Sequence, residues 1–285
     1  MTKTLQIKLD TDTYKEPTEE DVKEAKDYVL KMSDYADILG GRVMDVLRDA
    51  AERIVLICYK YNIRPKDFQF SADKNMQAEV YDVMDDAEEE IFDLMEEYST
   101  RCTDDKDIIA LLIAWMMLLG HGNKNLRDTL ADKLRQFLYD LEAQIAAMKL
   151  AGYTQEKALQ RILSTLTSVY ASPEMRRAIL RPLKAAAYYI RQRGVHHGNV
   201  GQSSSGANNV INMVKTTLSM VWQKARMLIY KMRGAEGYYT LRGSAYECSK
   251  ICDTKVGFHK MSDKDGQPPF HPHCYCYIIP VYKKD

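Results

Sequence analysis

Residues 268–281 read PPFHPHCYCYIIPV, and this stretch places His271, Cys274 and Cys276 within six positions. Upstream, three residues separate Cys248 from Cys252. Zinc prefers four tetrahedral ligands drawn from thiolate and imidazole, often supplied as two short groups joined by a loop. The sequence has this form, with 18 residues between Cys252 and His271. The spacing therefore predicts a metal site that organises the C-terminal segment.

The candidate ligands outnumber the positions of one tetrahedral site. We expect one structural zinc ion with ligands drawn from Cys248, Cys252, His271, Cys274 and Cys276. The sequence does not decide between Cys274 and Cys276 for the fourth position. His259 and His273 are reserve candidates, since histidines in such a loop are more often ordinary loop residues than metal ligands. Three alternatives stay open: a cluster without metal, disulfides if the protein leaves the cell, and a catalytic zinc with an open position.

The loop between the two groups, residues 253–270 (DTKVGFHKMSDKDGQPPF), contains little apolar material. A segment of about 50 residues with so small a core usually needs a disulfide or metal to fold. A bound metal would supply that constraint. We therefore expect a small zinc-stapled α+β domain at the C-terminus.

The preceding part of the chain has the apolar periodicity of helices. We expect about seven helices in the first 190 residues, forming a bundle or array. Gly40-Gly41 is expected to separate the first two helices, and Asp73, residues 103–105 and Thr154 are expected to begin later ones. Ser172-Pro173-Glu174 has the form of one more helix start.

Changes in composition indicate the domain boundaries. Residues 1–193 are expected to form the helical domain, within which the alternating residues 1–16 are an arm or an edge strand. Residues 194–207 are rich in Gly and Ser and form the predicted linker or loop. Residues 208–285 form the C-terminal domain, with a helix to about residue 233 and strands in YYTLRGS and YIIPVY.

The charge is balanced overall but not along the chain. Forty basic side chains match forty acidic ones, so net charge indicates no partner. Residues 1–100 contain 13 Lys and Arg against 25 Asp and Glu, whereas residues 151–245 contain 14 against 3. The basic stretch is a candidate for contact with DNA phosphates. It could equally dock on the acidic first hundred residues or be solvated.

Several classes of protein do not fit the sequence. The N-terminus MTKTLQIKLD lacks the apolar core of a secretory signal, so we expect an intracellular protein at synthesis. The longest apolar run, residues 108–120, is shorter than the roughly 20 residues that span a bilayer, and we interpret it as a buried core helix without membrane contact. No P-loop, G-x-S-x-G or H-E-x-x-H motif occurs, so no catalytic residue is assigned and no enzyme is expected.

The last part of the chain, residues 195–285, resembles the C-terminal domain of phage Mu protein F-like head morphogenesis proteins, also called minor head proteins. The resemblance is carried by ANNVINMVKTTLSMVWQKAR with Lys215-Thr216, by GYYTLRGSAYECSKIC, and by PPFHPHCYCYIIPV. Two features depart from the family pattern. Three residues separate Cys248 and Cys252 where the family has two, and Tyr275 replaces an arginine of the final motif.

The resemblance implies a minor capsid protein that acts in head morphogenesis or genome delivery. Its partners would be portal or capsid proteins, and residues 151–245 would be candidates for contact with packaged DNA. The protein would be found in the virion, and in the host cytoplasm during assembly. Two other functions stay open: a zinc-dependent nuclease or toxin-related protein that uses His259 or His273, and a DNA-binding module.

Overall fold

The computed structural model describes residues 13–119, 124–166, 206–243, 250–271 and 274–284 of the 285-residue chain. In these ranges the helices are α1 (Glu19–Lys60), α2 (Lys74–Thr100), α3 (Lys106–Leu118), α4 (Leu126–Leu150), α5 (Gln155–Thr165), α6 (Gly206–Met232) and α7 (Lys250–Asp253). Two 3₁₀ turns, Pro65–Asp67 and Phe70–Ala72, join α1 to α2. The strands are β1 (Gly237–Leu241), β2 (Gly257–Lys260) and β3 (Tyr277–Val281). The predicted fold class, mainly α with a small α+β region at the C-terminus, is confirmed.

The described residues divide into two compact units. The sheet unit takes its residues from 1–36, 99–114 and 215–285, and the helical unit takes its residues from 37–98 and 115–214. Four helices, α1, α2, α3 and α6, contribute residues to both units. Each unit is thus assembled from segments that are not consecutive in the chain. The sequence, by contrast, predicts one boundary between two consecutive domains, at residues 194–207. Of that predicted linker the structure describes only Gly206 and Ala207, which begin α6.

Helix α1 is continuous over 42 residues, so the predicted break at Gly40-Gly41 is wrong. Glycine in a helix interior costs about 0.5–1 kcal/mol relative to alanine. Leu39 and Val43, which flank the pair, are completely buried. Burying one such side chain contributes about 1.5–3 kcal/mol, which outweighs the cost of a glycine.

The predicted starts of three later helices are confirmed by their caps. The Oδ1 atom of Asp73 accepts from the N–H groups of Asn75 and Met76 in the first turn of α2. Asp105 does the same at the start of α3, and the hydroxyl of Thr154 accepts from a first-turn N–H of α5. Each cap satisfies donors that have no partner within the helix. The predicted start at 172–174 lies outside the described residues.

Residues 108–118 of the apolar run lie in α3, and the predicted burial of this helix holds for one face only. Ile108 and Leu112 are each 2% exposed, whereas Leu111 is 58% and Leu118 is 82% exposed. Neighbouring positions of a helix point in different directions, so an apolar run longer than a turn exceeds what one buried face can accommodate. None of the helices in the described ranges combines the length and the hydropathy that crossing a bilayer requires.

The core of the sheet unit contains the indole of Trp222 on α6, which is completely buried. The rings of Tyr28 and Tyr35 on α1 each lie 5.4 Å from it, and the Tyr28 hydroxyl donates to the Trp222 carbonyl at 2.7 Å. One helical turn later, Arg226 pairs with Glu24 at 2.8 Å and stacks over Tyr28. Helix α6 therefore shares its core with the first part of α1.

The three strands form an antiparallel sheet in the order β2-β1-β3. Tyr239 in the central strand pairs with Phe258 on one side and Ile279 on the other. Strands β1 and β3 correspond to the predicted strands, whereas β2 lies in the loop between the two groups of candidate ligands, where no strand was predicted. Pairing with β1 is a long-range contact, and the short sequence GFHK by itself gives no strong strand signal.

Backbone groups on the outer edge of β3, the edge that does not pair with β1, have hydrogen-bond partners from other parts of the chain. The Tyr230 hydroxyl on α6 donates to the carbonyl of Ile278 at 3.2 Å, and the N–H of Lys15 donates to the carbonyl of Tyr282 at 2.9 Å. Tyr14 forms an isolated antiparallel bridge with Lys283. The end of the predicted arm or edge strand thus covers this edge, which would otherwise be a template for pairing with another chain. Residues 1–12 lie outside the described residues.

Candidate metal centre

Three cysteines from separate parts of the sheet unit meet in one buried cluster. Cys252 lies in the short helix α7, Cys274 follows the loop after β2, and Cys276 directly precedes β3. Their Sγ atoms lie within 4.8 Å of one another, and their residues are 0%, 4% and 2% exposed. The Sγ atoms of Cys252 and Cys274 are 4.0 Å apart. Two thiolates on a tetrahedral zinc lie about 3.8 Å apart when each Zn–S bond is about 2.3 Å, so this spacing suits such an ion.

His271 adds a fourth ligand-type side chain. Its Nε2 atom lies 3.0 Å from the Cys252 Sγ atom, and the residue is half-buried. Three sulfurs and one imidazole nitrogen match the donor set of structural zinc sites. The side chain of Phe270 packs against the three cysteines and covers them with apolar surface.

The electrostatics of the cluster favour a thiolate at one position. The pKa of Cys274 is lowered, chiefly because the Cys276 side chain hydrogen-bonds to it, with a further contribution from His271. The pKa of Cys276 is raised, because its proton is held against Cys274 and because the side chain is buried. This direction suits a cation site, since thiolates are the form in which cysteine binds metal.

The structure brings three of the five predicted ligands, Cys252, Cys274 and Cys276, into one cluster, and a fourth, His271, lies beside Cys252. It includes both Cys274 and Cys276, between which the sequence did not decide. Cys248 lies outside the described residues, and so does the reserve ligand His273. Within the described ranges, the three-cysteine cluster is the only group of His, Cys, Asp and Glu side chains close enough to hold a metal ion.

His259, the other reserve ligand, has a different environment. Its Nε2 atom lies 2.9 Å from the carbonyl oxygen of Lys255, and its Nδ1 atom lies 2.8 Å from a carboxylate oxygen of Asp263. The hydrogen bond to His259 lowers the pKa of Asp263. The imidazole also stacks on Tyr238, with ring centroids 5.4 Å apart. Both ring nitrogens therefore hold the loop around β2, and this histidine lies outside the cluster.

Sequence reasoning did not find the polar side chains that support the cluster. Gln223 on α6 donates from Nε2 to the carbonyl of Cys276 at 3.4 Å, and the Ser33 hydroxyl on α1 donates to the hydroxyl of Tyr275 at 3.4 Å. The sequence contains one indication of burial for Gln223, because this residue directly follows Val221 and Trp222 in the apolar pattern of α6. The sequence around Ser33 contains no such indication.

No family model, curated protein or solved structure matches this chain in the three comparisons.

Proposed function

We propose that this chain is a structural protein of a phage or prophage particle, a minor head protein whose C-terminal segment is held by one zinc ion. The observation that supports this proposal is the buried cluster of Cys252, Cys274 and Cys276, with the half-buried His271 against the Sγ atom of Cys252. Together with His271 these are four ligand-type residues. Three of these four residues belong to the closing motif PPFHPHCYCYIIPV, on which the resemblance to minor head proteins depends.

The geometry supports a structural metal over a catalytic one. With His271 as the fourth ligand beside the three sulfurs, a tetrahedral zinc would have no position left for water or substrate. The three sulfurs are buried, and Phe270 covers them. The nuclease alternative needs a histidine beside an open coordination position, but both ring nitrogens of His259 already face other partners. In this proposal the ion performs no reaction.

Thiolates and imidazole together favour zinc over calcium or magnesium, which prefer oxygen ligands. When bound, the ion would join α7 to the segment that leads into β3. Binding at such sites is coupled to folding and is worth on the order of 10 kcal/mol or more in zinc peptides. The ion would thus fix a segment whose apolar core is small.

In the particle we expect the protein to contact portal or capsid subunits, with the zinc-held segment as a rigid recognition element. Contact with packaged DNA through residues 151–245 is a weaker part of the proposal. Lys215 and Arg226 belong to that basic stretch, yet they are only 8% and 6% exposed, and Arg226 pairs with Glu24. Because these two side chains are buried, their charges are not available for contact with DNA phosphates.

The metal is tested by elemental analysis of the purified full-length chain. We expect about one zinc per chain, and we expect Cys274→Ser and Cys276→Ser to lose it. The matched control is Cys58→Ser, which changes a buried cysteine of the helical unit outside the cluster. Zinc retained in both cluster variants, or absent from the wild type, would contradict the proposed site.

The biological role is tested on particles from a host that carries the gene. We expect the protein in purified DNA-filled particles, and we expect deletion of the gene to stop the production of infectious ones. A protein confined to the unassembled fraction would refute the proposal. Cleavage of DNA or RNA that His259→Ala or His273→Ala abolishes while zinc stays bound would favour the nuclease alternative.

A further inference from the structure

The amide of Gln223 is a buried polar group directed at the backbone of a cluster cysteine. Gln223 is 3% exposed on α6, beside the completely buried Trp222. Its Nε2 atom donates to the carbonyl oxygen of Cys276, on the strand-forming segment that begins β3. Burying an amide is unfavourable unless the group finds a hydrogen-bond partner, so this contact determines where the side chain can lie.

A second contact of the same kind lies nearby, but it involves no cluster residue. Tyr230, two helical turns after Gln223, donates from its hydroxyl to the carbonyl of Ile278. The two accepting carbonyls are two residues apart, so they point to the same edge of the extended chain. Helix α6 therefore contacts this segment at two points, one directly before β3 and one within it, and only the first belongs to a cysteine of the cluster.

We infer that Gln223 is a positioning residue of the metal site, and that the affinity of the site for zinc depends on helix α6. This inference rests on the proposed zinc site. The carbonyl of Cys276 is fixed by the amide, so the main chain that carries the Sγ atom is fixed with it. Groups that orient metal ligands from outside the coordination shell commonly change metal affinity by about 10–100-fold when they are removed.

The experiment compares Gln223→Met with Tyr230→Phe in the full-length chain. Methionine keeps the length and apolar volume of the side chain but cannot donate, and phenylalanine keeps the ring but loses the hydroxyl. Zinc affinity is measured by competition with a chromophoric chelator, and the ligand geometry is followed by the visible spectrum after substitution with Co²⁺. Far-UV circular dichroism verifies that each variant is folded.

We expect Gln223→Met to weaken zinc binding by about 10–100-fold and to change the Co²⁺ spectrum. We expect Tyr230→Phe to lower the urea midpoint while its zinc affinity stays within about threefold of the wild type, a margin well below that range. Equal losses of affinity in both variants would show a general loss of stability and overturn the inference. Unchanged affinity and spectrum in Gln223→Met would overturn it as well.

A failure of the inference can be told from a failure of the zinc site itself. If the wild type binds zinc, Cys276→Ser does not, and Gln223→Met binds like the wild type, the inference alone is wrong. If the wild type binds no zinc, the proposed site is wrong, and the inference is wrong with it. If Gln223→Met does not fold, Gln223→Asn makes the same comparison, because its amide is one methylene too short to span the 3.4 Å contact.

Discussion

Replacing Gly243 with alanine should damage the metal site without changing any candidate ligand. Gly243 follows β1 and lies against Tyr275, the residue between Cys274 and Cys276. A Cβ atom added at Gly243 would lie 2.7 Å from the Tyr275 Cβ atom and 2.8 Å from its carbonyl carbon, and closer still to its carbonyl oxygen. These distances are far inside ordinary contact, and two of the three atoms are backbone. The ligand segment therefore has to move.

The expected magnitude follows from the cost of overpacking. Forcing an extra methyl group into a packed site costs about 1–3 kcal/mol. A metal fixes its ligands in one geometry, whereas the metal-free segment can shift to relieve the contact, so the penalty falls mainly on the metal-bound form. At about 1.4 kcal/mol per tenfold, we expect zinc affinity to fall by about 5-fold to 150-fold.

The measurement is a zinc competition titration of Gly243→Ala against the wild type, with far-UV circular dichroism to monitor folding. The matched control is Gly41→Ala, because a Cβ added there meets no atom within 4 Å apart from its chain neighbours and the nearby backbone of its own helix. A folded Gly243→Ala variant that binds zinc within about twofold of the wild type, below the range expected from overpacking, would refute the reasoning.

Three further predictions concern groups outside the cluster. Gly41→Ala should raise the free energy of unfolding by about 0.5–1 kcal/mol, measured in urea, because glycine lies in the interior of α1 and the methyl group has room; a decrease would contradict this account. Burial raises the pKa of Cys58 and of Cys102 to about 12, so at pH 8 only about one in 10⁴ of each is thiolate, and mass spectrometry should find both unmodified by iodoacetamide in the folded protein. Modification as fast as that of a free thiol would show that they are accessible. Hydrogen bonds from Lys60 and Tyr61 lower the pKa of Glu79 in the folded protein below its ordinary value of 4.5. The ionised Glu79 therefore stabilises the fold above pH 4.5, and this contribution is lost as the pH falls through the pKa of the folded state. The difference in urea midpoint between the wild type and Glu79→Gln should therefore shrink from pH 7 to pH 3, and a constant difference would be evidence against the ion pair.

The helices were predictable where local chemistry decides them. Asp73 and Thr154 carry oxygens that cap the next turn, and the stripe through Leu130, Leu134 and Leu141 on α4 repeats at the helical period and is buried as expected. The predicted break at Gly40-Gly41 is wrong because the free-energy cost of glycine inside a helix is real but small. The burial of flanking side chains, which only the tertiary structure supplies, outweighs it.

The candidate metal centre was predictable in its chemistry but not in its assembly. The spacing of Cys252, His271, Cys274 and Cys276 indicated the residue types and the loop between them. Which of these approach one another depends on how β3 and α7 pack, and no local pattern encodes that. The separate role of His259 has the same origin, because its partners Lys255 and Asp263 are recognisable only once the loop has closed around β2.

The sequence by itself determined the helical class, most helix starts and a C-terminal group of thiolates and imidazole suited to zinc, since these depend on periodicity, caps and ligand chemistry within a few residues. The tertiary structure alone decided that α6 shares a core with the first part of α1, and that the Gln223 amide donates to the carbonyl of Cys276. Both depend on contacts between residues far apart in the chain. Such contacts form when distant apolar faces are buried together, and polar groups buried with them must then find partners among whatever lies nearby.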